Sequence, residues 1–358
     1  MKLSTSFNNF KRKHRESVNQ IISYEQICKN YSFVENLYKF ILSKRNSFIF
    51  ESVEKGTIRG RYTIIGFEPD KIYNIKKNKI YIDNFTKIKI IKKNVLSFLN
   101  KLLEDLKTNT PPNLPRMSTM LVGYFSYDII RMIEKIPDSC KDDINIPDIR
   151  LIRPKKIIIY DNVKKKIFFI HNIFKDQVIK NYESEYIKIS NDFNELIHLG
   201  NINFPVNFSK NKKNIVIKSN ISKSKFKSNI LKGKKYIKRG DIFQVVLSQR
   251  FEAKIDKPAL EIYNTLRSLN PSPFMFFFNF KDFKILGSSP EILVRSINNE
   301  ITIRPIAGTR PRGKSKTEDL KLTKELLSDP KELAEHLMLL DLGRNDVGKV
   351  SKIGTVKV

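Results

Sequence analysis

An α+β fold, with mostly antiparallel β-sheets flanked by helices, is predicted by three features of the chain. β-Branched and aromatic runs follow one another in series, turn residues join neighbouring runs as hairpins, and helical-period segments are grouped around them. In the first half, residues 47–52 and 61–67 read as strands, and 71–85 as a hairpin turning near Asn78. Val95, Phe98, Leu99, Leu102, Leu103 and Leu106 recur at helical spacing over 95–107. Residues 119–127 return to a strand pattern, 155–172 form a second hairpin turning at Asp161-Asn162, and 176–199 are helical. Residues 201–225 are rich in Lys, Asn and Ser and poor in apolar side chains, which predicts a linker between a domain of residues 1–200 and a second of residues 226–358. The second domain is expected to hold helices at 226–238 and 259–269, and strands at 242–251, 274–280, 285–295 and 300–307.

A chain of 358 residues exceeds the usual single compact core and can bury a substantial interior. Its hydrophobic share of 40%, with 25 Phe and 13 Tyr, is that of a globular protein. No apolar run approaches the roughly 18 residues a membrane span needs, so no membrane partner is expected. The N-terminus is basic but lacks the apolar core and small-residue cleavage site of a secretory signal, and a cytoplasmic location is expected. Cys28 and Cys140 lie far apart with no His or Cys at metal-ligand spacing, which speaks against a zinc site or a disulfide framework.

The formal net charge of +30 raises a nucleic-acid-binding alternative. Its texture points elsewhere. Of the 67 basic residues 50 are Lys and 17 are Arg, spread through segments also rich in Ile and Asn. A reader of phosphates or base edges clusters Arg and sets aromatics among the charges. The pattern fits drift in an AT-rich genome, and a solvated, dispersed charge with no nucleic-acid partner is the expectation.

Three segments have chemistry worth weighing. Gly308-Thr309-Arg310-Pro311-Arg312-Gly313-Lys314-Ser315 satisfies the P-loop pattern letter by letter, yet Pro311 removes a backbone donor from the middle of the supposed phosphate cradle. The acidic strand such a site needs would be 337–341, which instead continues a helix over 331–340, so nucleotide hydrolysis is set aside in favour of a chance match in a turn. On that helix Glu332 and Glu335 project from one face while Leu333, Leu337 and Leu340 form the expected buried stripe. Spacing alone leaves two readings of the pair, a solvated acidic face or a site for a hard cation such as Mg²⁺. In Gly287-Ser288-Ser289-Pro290-Glu291, Pro290 breaks strand pairing, so Glu291 sits either on a surface bend or at an irregular point that aims it into a cleft.

Taken together, the chain resembles the chorismate-utilising enzymes, and among them the large subunits of anthranilate synthases. The resemblance runs through the segment from Gly240-Asp241-Ile242-Phe243-Gln244 to Arg250, Asn270-Pro271-Ser272-Pro273-Phe274-Met275, 287–295, 305–313 and 334–350, including Asp341-Leu342-Gly343-Arg344-Asn345-Asp346. The first half adds Phe50-Glu51-Ser52 and Gly60-Arg61-Tyr62-Thr63-Ile64-Ile65-Gly66, so nearly the whole chain is covered.

The resemblance implies the family's fold and an enzyme, a lyase that adds ammonia to chorismate with loss of a hydroxyl and then of pyruvate. The product is anthranilate, at the entry to tryptophan biosynthesis. It implies Mg²⁺ as cofactor, held by Glu335 directly with Glu332 as its neighbour, Glu291 as the acid that protonates the departing hydroxyl, and Gly308 and Thr309 as substrate contacts. Relatives that add water carry a Lys base where this chain has Gln244, and an amide cannot take a proton from water, which implies ammonia as nucleophile. Aminodeoxychorismate synthase, the alternative within the family, carries a nucleophilic Lys where this chain has Ala307. A glutamine amidotransferase partner is implied as the ammonia source. Glu51, Ser52, Pro273, Phe274 and Met275 match a site for tryptophan as feedback inhibitor, with Ile49-Phe50 in place of the usual leading Leu-Leu. Relatives continue past position 358 with a further helix that completes the metal and chorismate sites. The fold is therefore expected to be incomplete at the C-terminus, through a partial record or a truncated gene, and the fragment inactive by itself.

Overall fold

The structure, a computed structural model, describes residues 2–54, 58–204 and 215–358. It divides into two compact units, one of Met1–Phe204 with Tyr263–Val358 and one of Pro205–Ile262. In chain order the elements before the division are α1 (Phe7–Arg15), β1 (Gln20–Ile27), α2 (Ser32–Ile41), β2 (Ser47–Glu54), β3 (Ile58–Lys76), β4 (Lys79–Asp83), β5 (Ile88–Lys92), α3 (Val95–Asp105), β6 (Val122–Phe125), β7 (Ile149–Asp161), β8 (Lys166–Ile173) and α4 (Tyr182–Asn201). The smaller unit holds β9 (Ile217–Ser219), α5 (Lys223–Lys238) and β10 (Phe251–Ala253), and α6 (Ala259–Leu269) leads out of it. The chain then forms β11 (Phe274–Asn279), β12 (Lys284–Ser289), β13 (Arg295–Ile297), β14 (Glu300–Thr302), α7 (Lys316–Ser328) and α8 (Pro330–Gly348).

One ten-stranded sheet organises the larger unit, in the order β1-β8-β7-β3-β2-β11-β12, with β4 and β5 extending from β3 and β6 pairing with β7. Every pair is antiparallel. The fold is thus α+β. Period-2 alternation gives the sheet two apolar faces. On one, Phe48, Ile64, Ile157, Ile159, Phe168, Ile170, Phe278 and Phe280 form a continuous core. Towards the far end of β3, Tyr73, Ile75, Ile149 and Leu151 pack with Val95 and Leu102 of α3. The other face meets α2 and α4, with Tyr31 edge-on to Tyr160 and Phe193 against Phe169.

The two hairpins turn where Asn78 and Asp161-Asn162 place them, Lys77 taking φ 53° in the first. Beyond 201–225, of which 205–214 lie outside the described residues, β11 and β12 hydrogen-bond into the sheet made by the first half, with Phe276 opposite Phe50 and Asn279 opposite Ser47. The strands expected over 285–295 and 300–307 end early, at Ser289 and Thr302, and two further expectations are corrected. The strand expected over 242–251 is irregular up to Arg250 and becomes a strand only at Phe251–Ala253, which pairs with β9. Phe243 and Val246 there are 91% and 85% exposed, so no apolar neighbour fixes an extended ladder. The leucine stripe expected to be buried on α8 is turned outward, with Leu333 and Leu337 about half exposed. Its carboxylate side faces the 303–310 segment instead, with Glu332 against Gly308 and Gly343 against Ile303. Among the described residues no helix is long and apolar enough to cross a membrane.

Candidate functional site

Three sequence-distant segments of the larger unit meet around residues 305–310. After β12, Pro290 ends the ladder and leaves Glu291 exposed at the bend, where its Oε1 accepts the N–H of Ile306 at 3.0 Å. Two residues on, Gly308 lies so close to α8 that a Cβ added to it would stand 1.9 Å from Oε2 of Glu332. A side chain there would have to push the Glu332 carboxylate aside. Glu332 is in the first turn of α8, whose N-cap is Asp329, with Oδ1 accepting from the N–H groups of Lys331 and Glu332. The bond from the Glu332 N–H holds the Asp329 carboxyl below its usual range. Arg310 reaches across from the loop to Glu332, Asp329 and Glu325.

The structure therefore brings together Glu291, Gly308, Thr309 and Glu332, with Glu335 one helical turn along on the same side as Glu332. Both helix carboxylates are half-buried. Among the described residues no three His, Cys, Asp or Glu side chains form a complete metal shell. A pair of carboxylates, with substrate oxygens and water completing the octahedron, is nonetheless the donor set Mg²⁺ takes in substrate-binding sites. Gln244 is exposed on the irregular stretch of the smaller unit and is described with that unit alone.

The P-loop-like segment shows why its letters mislead. The amides of Gly313 and Lys314, which a phosphate would need, already donate to Asp319 Oδ1 at 2.8 Å and Glu318 Oε2 at 2.6 Å. Carboxylates of α7 sit where an anion would bind, and Ser315 caps that helix through the Glu318 N–H.

A separate cavity of about 750 Å³ opens on the sheet and is lined by all five residues expected to bind an aromatic inhibitor: Glu51, Ser52, Pro273, Phe274 and Met275. Its remaining wall is mostly apolar and aromatic, with Phe50, Tyr62, Met117, Tyr124, Phe276 and Phe278 among it, and Arg61 supplies a cation. The register of β2 against β3 shifts between Glu51 and Val53, which sets Ser52 at a bulge. Gly60 faces it so closely that a Cβ there would lie 2.3 Å from the Ser52 Cβ.

Strand alternation puts Phe50 and Ser52 on the cavity face and turns Glu51 to the other. There Glu51 is buried, accepting from the Tyr263 hydroxyl at 2.7 Å and ion-paired to Arg267 at 2.9 Å. Burial pushes the Tyr263 hydroxyl far above its usual range, and the Glu51 charge adds to this. The carboxylate is an anchor for α6, and Glu51 borders the cavity without offering it a charge. Sequence reasoning missed Tyr62, Met117 and Tyr124. The alternation of β3 could have flagged Tyr62, whereas Met117 and Tyr124 reach the cavity only through the tertiary fold.

A family profile described as chorismate binding enzyme matches residues 45–358. The chain is 42% identical to anthranilate synthase component 1 of Acetivibrio thermocellus over 332 residues, 90% of this chain and 66% of that protein. It is 38% identical to the same component of Cereibacter sphaeroides over 375 residues, covering 99% and 72%. The crystal structure of anthranilate synthase component I from Streptococcus pneumoniae superposes with a TM-score of 0.69 at 31% identity, covering 83% of this chain and 64% of that one. The chain thus spans roughly two thirds of the length of these relatives. With the profile match extending over the strands that build the cavity and the segments that meet at 305–310, the chain belongs to the chorismate-binding enzymes.

Proposed function

We propose that the chain is the chorismate-binding part of an anthranilate synthase large subunit, which converts chorismate and ammonia to anthranilate and pyruvate in tryptophan biosynthesis. The observation that carries this reading is the convergence of an exposed acid, Glu291, a glycine loop at Gly308–Thr309 and a carboxylate helix on one short segment. Hydroxide is a poor leaving group, so the chemistry needs a positioned acid, and Glu291 stands where the loop backbone orients it. Gly308 and Thr309 contact the substrate. Glu335 holds Mg²⁺ with Glu332 beside it, and the ion, when bound, neutralises and fixes the ring carboxylate of a polyanionic substrate. Gln244 provides no base, which suits ammonia as nucleophile, and Ala307 in place of a nucleophilic lysine favours anthranilate over 4-aminobenzoate as product.

Ammonia is mostly protonated at neutral pH, so a glutamine amidotransferase subunit is the proposed partner and source. The cavity on the sheet is the proposed site for tryptophan as feedback inhibitor, its ring among Phe50, Tyr62 and Phe276. In the proposed enzyme residues 1–200 are regulatory, 201–225 a linker and 226–358 catalytic, in the cytoplasm. The test is turnover by the full-length protein with its amidotransferase. Anthranilate should form from chorismate, glutamine and Mg²⁺, and Glu335→Gln should remove the Mg²⁺ dependence while the fold is kept, since the amide retains shape but not charge. No anthranilate from the parent, or a variant with the parent's Mg²⁺ response, rules the reading out.

A further inference from the structure

We propose that Arg310 is the positioning residue of the candidate site, latching the Gly308–Thr309 loop to the first turn of α8 through Glu332 and Asp329. The proposal rests on the reading of Glu332 and Glu335 as the cation-holding pair. One guanidinium spans three carboxylates. Its Nε lies 3.0 Å from Glu325 Oε1 at the end of α7, Nη2 lies 2.8 Å from Asp329 Oδ2 at the cap of α8, and Nη1 lies 3.3 Å from Glu332 Oε1. Nη1 also donates to the carbonyl of Thr309 at 3.1 Å, which braces the loop from within. The planar fork of Arg suits this arrangement, and a lysine ammonium, a point charge on a flexible stem, could not span it.

One oxygen of Glu332, Oε1, is held by Arg310, and the carboxylate lies beside Gly308. A carboxylate held in this way is turned towards the loop and partly neutralised. Glu335, one turn further, lies outside the latch. The same loop carries the Ile306 N–H that holds Glu291, so a shift of the loop would move the acid, the substrate contacts and the carboxylate helix relative to one another. Misplacement of a reacting group by about 1 Å is enough to cost a large factor in rate. The latch therefore governs how well the loop and helix are registered for substrate, and its positive charge opposes the cation.

Those two effects have opposite signs on two measurable constants, which separates positioning from a merely structural role. In the full-length protein, Arg310→Gln is expected to raise the chorismate KM or lower kcat by about tenfold or more, through loss of loop registration. The dissociation constant for Mg²⁺ without substrate, read by calorimetric titration, is expected to fall by about threefold, because a nearby positive charge is removed and Glu332 is released. Arg310→Lys should recover only part of the chorismate constants. Parent-like values for both constants in a folded Arg310→Gln would overturn the proposal, as would Mg²⁺ affinity that weakens along with thermal stability, the signature of a structural role alone. Should Arg310→Gln not fold, Asp329→Asn decides, since Asn caps a helix as well as Asp but removes one anchor of the latch. A raised chorismate KM in that variant supports the latch, and a parent chorismate KM overturns it. A parent protein that binds no Mg²⁺ at all brings down the reading of the carboxylate pair, and the proposal with it.

Discussion

Glu291 stays exposed at the bend after β12, and its one bond from the Ile306 N–H can be accepted equally by an amide oxygen. Glu291→Gln should therefore keep the loop and substrate binding but lose the proton for the departing hydroxyl, with kcat falling about 10²–10⁴-fold. Steady-state turnover of the full-length variant within a few-fold of the parent removes the acid role. His171 presents the opposite case. It is buried with neither ring nitrogen bonded, and burial, with Lys155, Lys156 and Lys188 adding to it, pushes its pKa well below the ordinary value. Below the ordinary imidazole value the unfolded chain takes up a proton that the folded chain refuses, so folding stability falls as pH drops. The slope from this one group is about 1.4 kcal/mol per pH unit until the depressed folded pKa is reached. Urea midpoints from pH 7 to 5 should decline less steeply in His171→Leu than in the parent, and equal slopes would show that this histidine is not the cause. The bend at Glu291 was legible because Pro290 breaks strand pairing, while His171 looks like any residue of an apolar strand until β1, β7 and α4 close around it.

At the scale of elements, α6 is secured to the sheet by the buried Glu51 with Tyr263 and Arg267. Breaking a buried ion pair by removing one partner leaves a charge without compensation, typically about 3–5 kcal/mol. Arg267→Met should lower unfolding free energy by about that amount, and the double variant with Glu51→Gln should regain part of it. A single-variant loss below about 1 kcal/mol, as for exposed pairs, would contradict the anchoring role. Elements with a strong local signal were readable: the hairpins had their turn residues, and α3 and α8 their period. Six were passed over, α1, β1, α2, β5, β9 and α7, although α2 has its own period, with Val34, Leu37, Tyr38 and Ile41 on one buried face. The strand expected over 242–251 went wrong because β-branched content alone does not make a ladder without a partner strand. The orientation of α8 was misjudged because its leucines suggested a core, whereas the pairing of Arg310 with Glu332 and the close approach of Gly308 bring the other side to the loop.

For the molecule as a whole, the cavity and the segments around 305–310 are separate features of the larger unit, and the first needs none of the second's residues. Tryptophan should accordingly bind whether or not turnover is possible. A ligand present at a hundred times its Kd stabilises by about 2.7 kcal/mol, a rise in melting temperature that scanning calorimetry can read. Ser52→Phe, filling the bulge between Phe50 and Gly60, should abolish that rise and leave uninhibited turnover of the full-length enzyme nearly unchanged. A parent whose melting is indifferent to tryptophan ends the regulatory assignment. The antiparallel α+β class and the grouping of cavity residues were legible because motifs carried them, but the closing of the sheet across the 201–225 stretch was not, since no local pattern tells β2 that its neighbour is β11. That pairing joins Glu51 to Met275. During synthesis β2 must then wait for more than two hundred residues before its second edge is met, some ten to forty seconds at about 5–20 residues per second. Through that interval a strand of Phe, Ile and Phe offers an open hydrogen-bonding edge to any other nascent chain, so the order of translation leaves this edge liable to mispairing until β11 arrives to cover it.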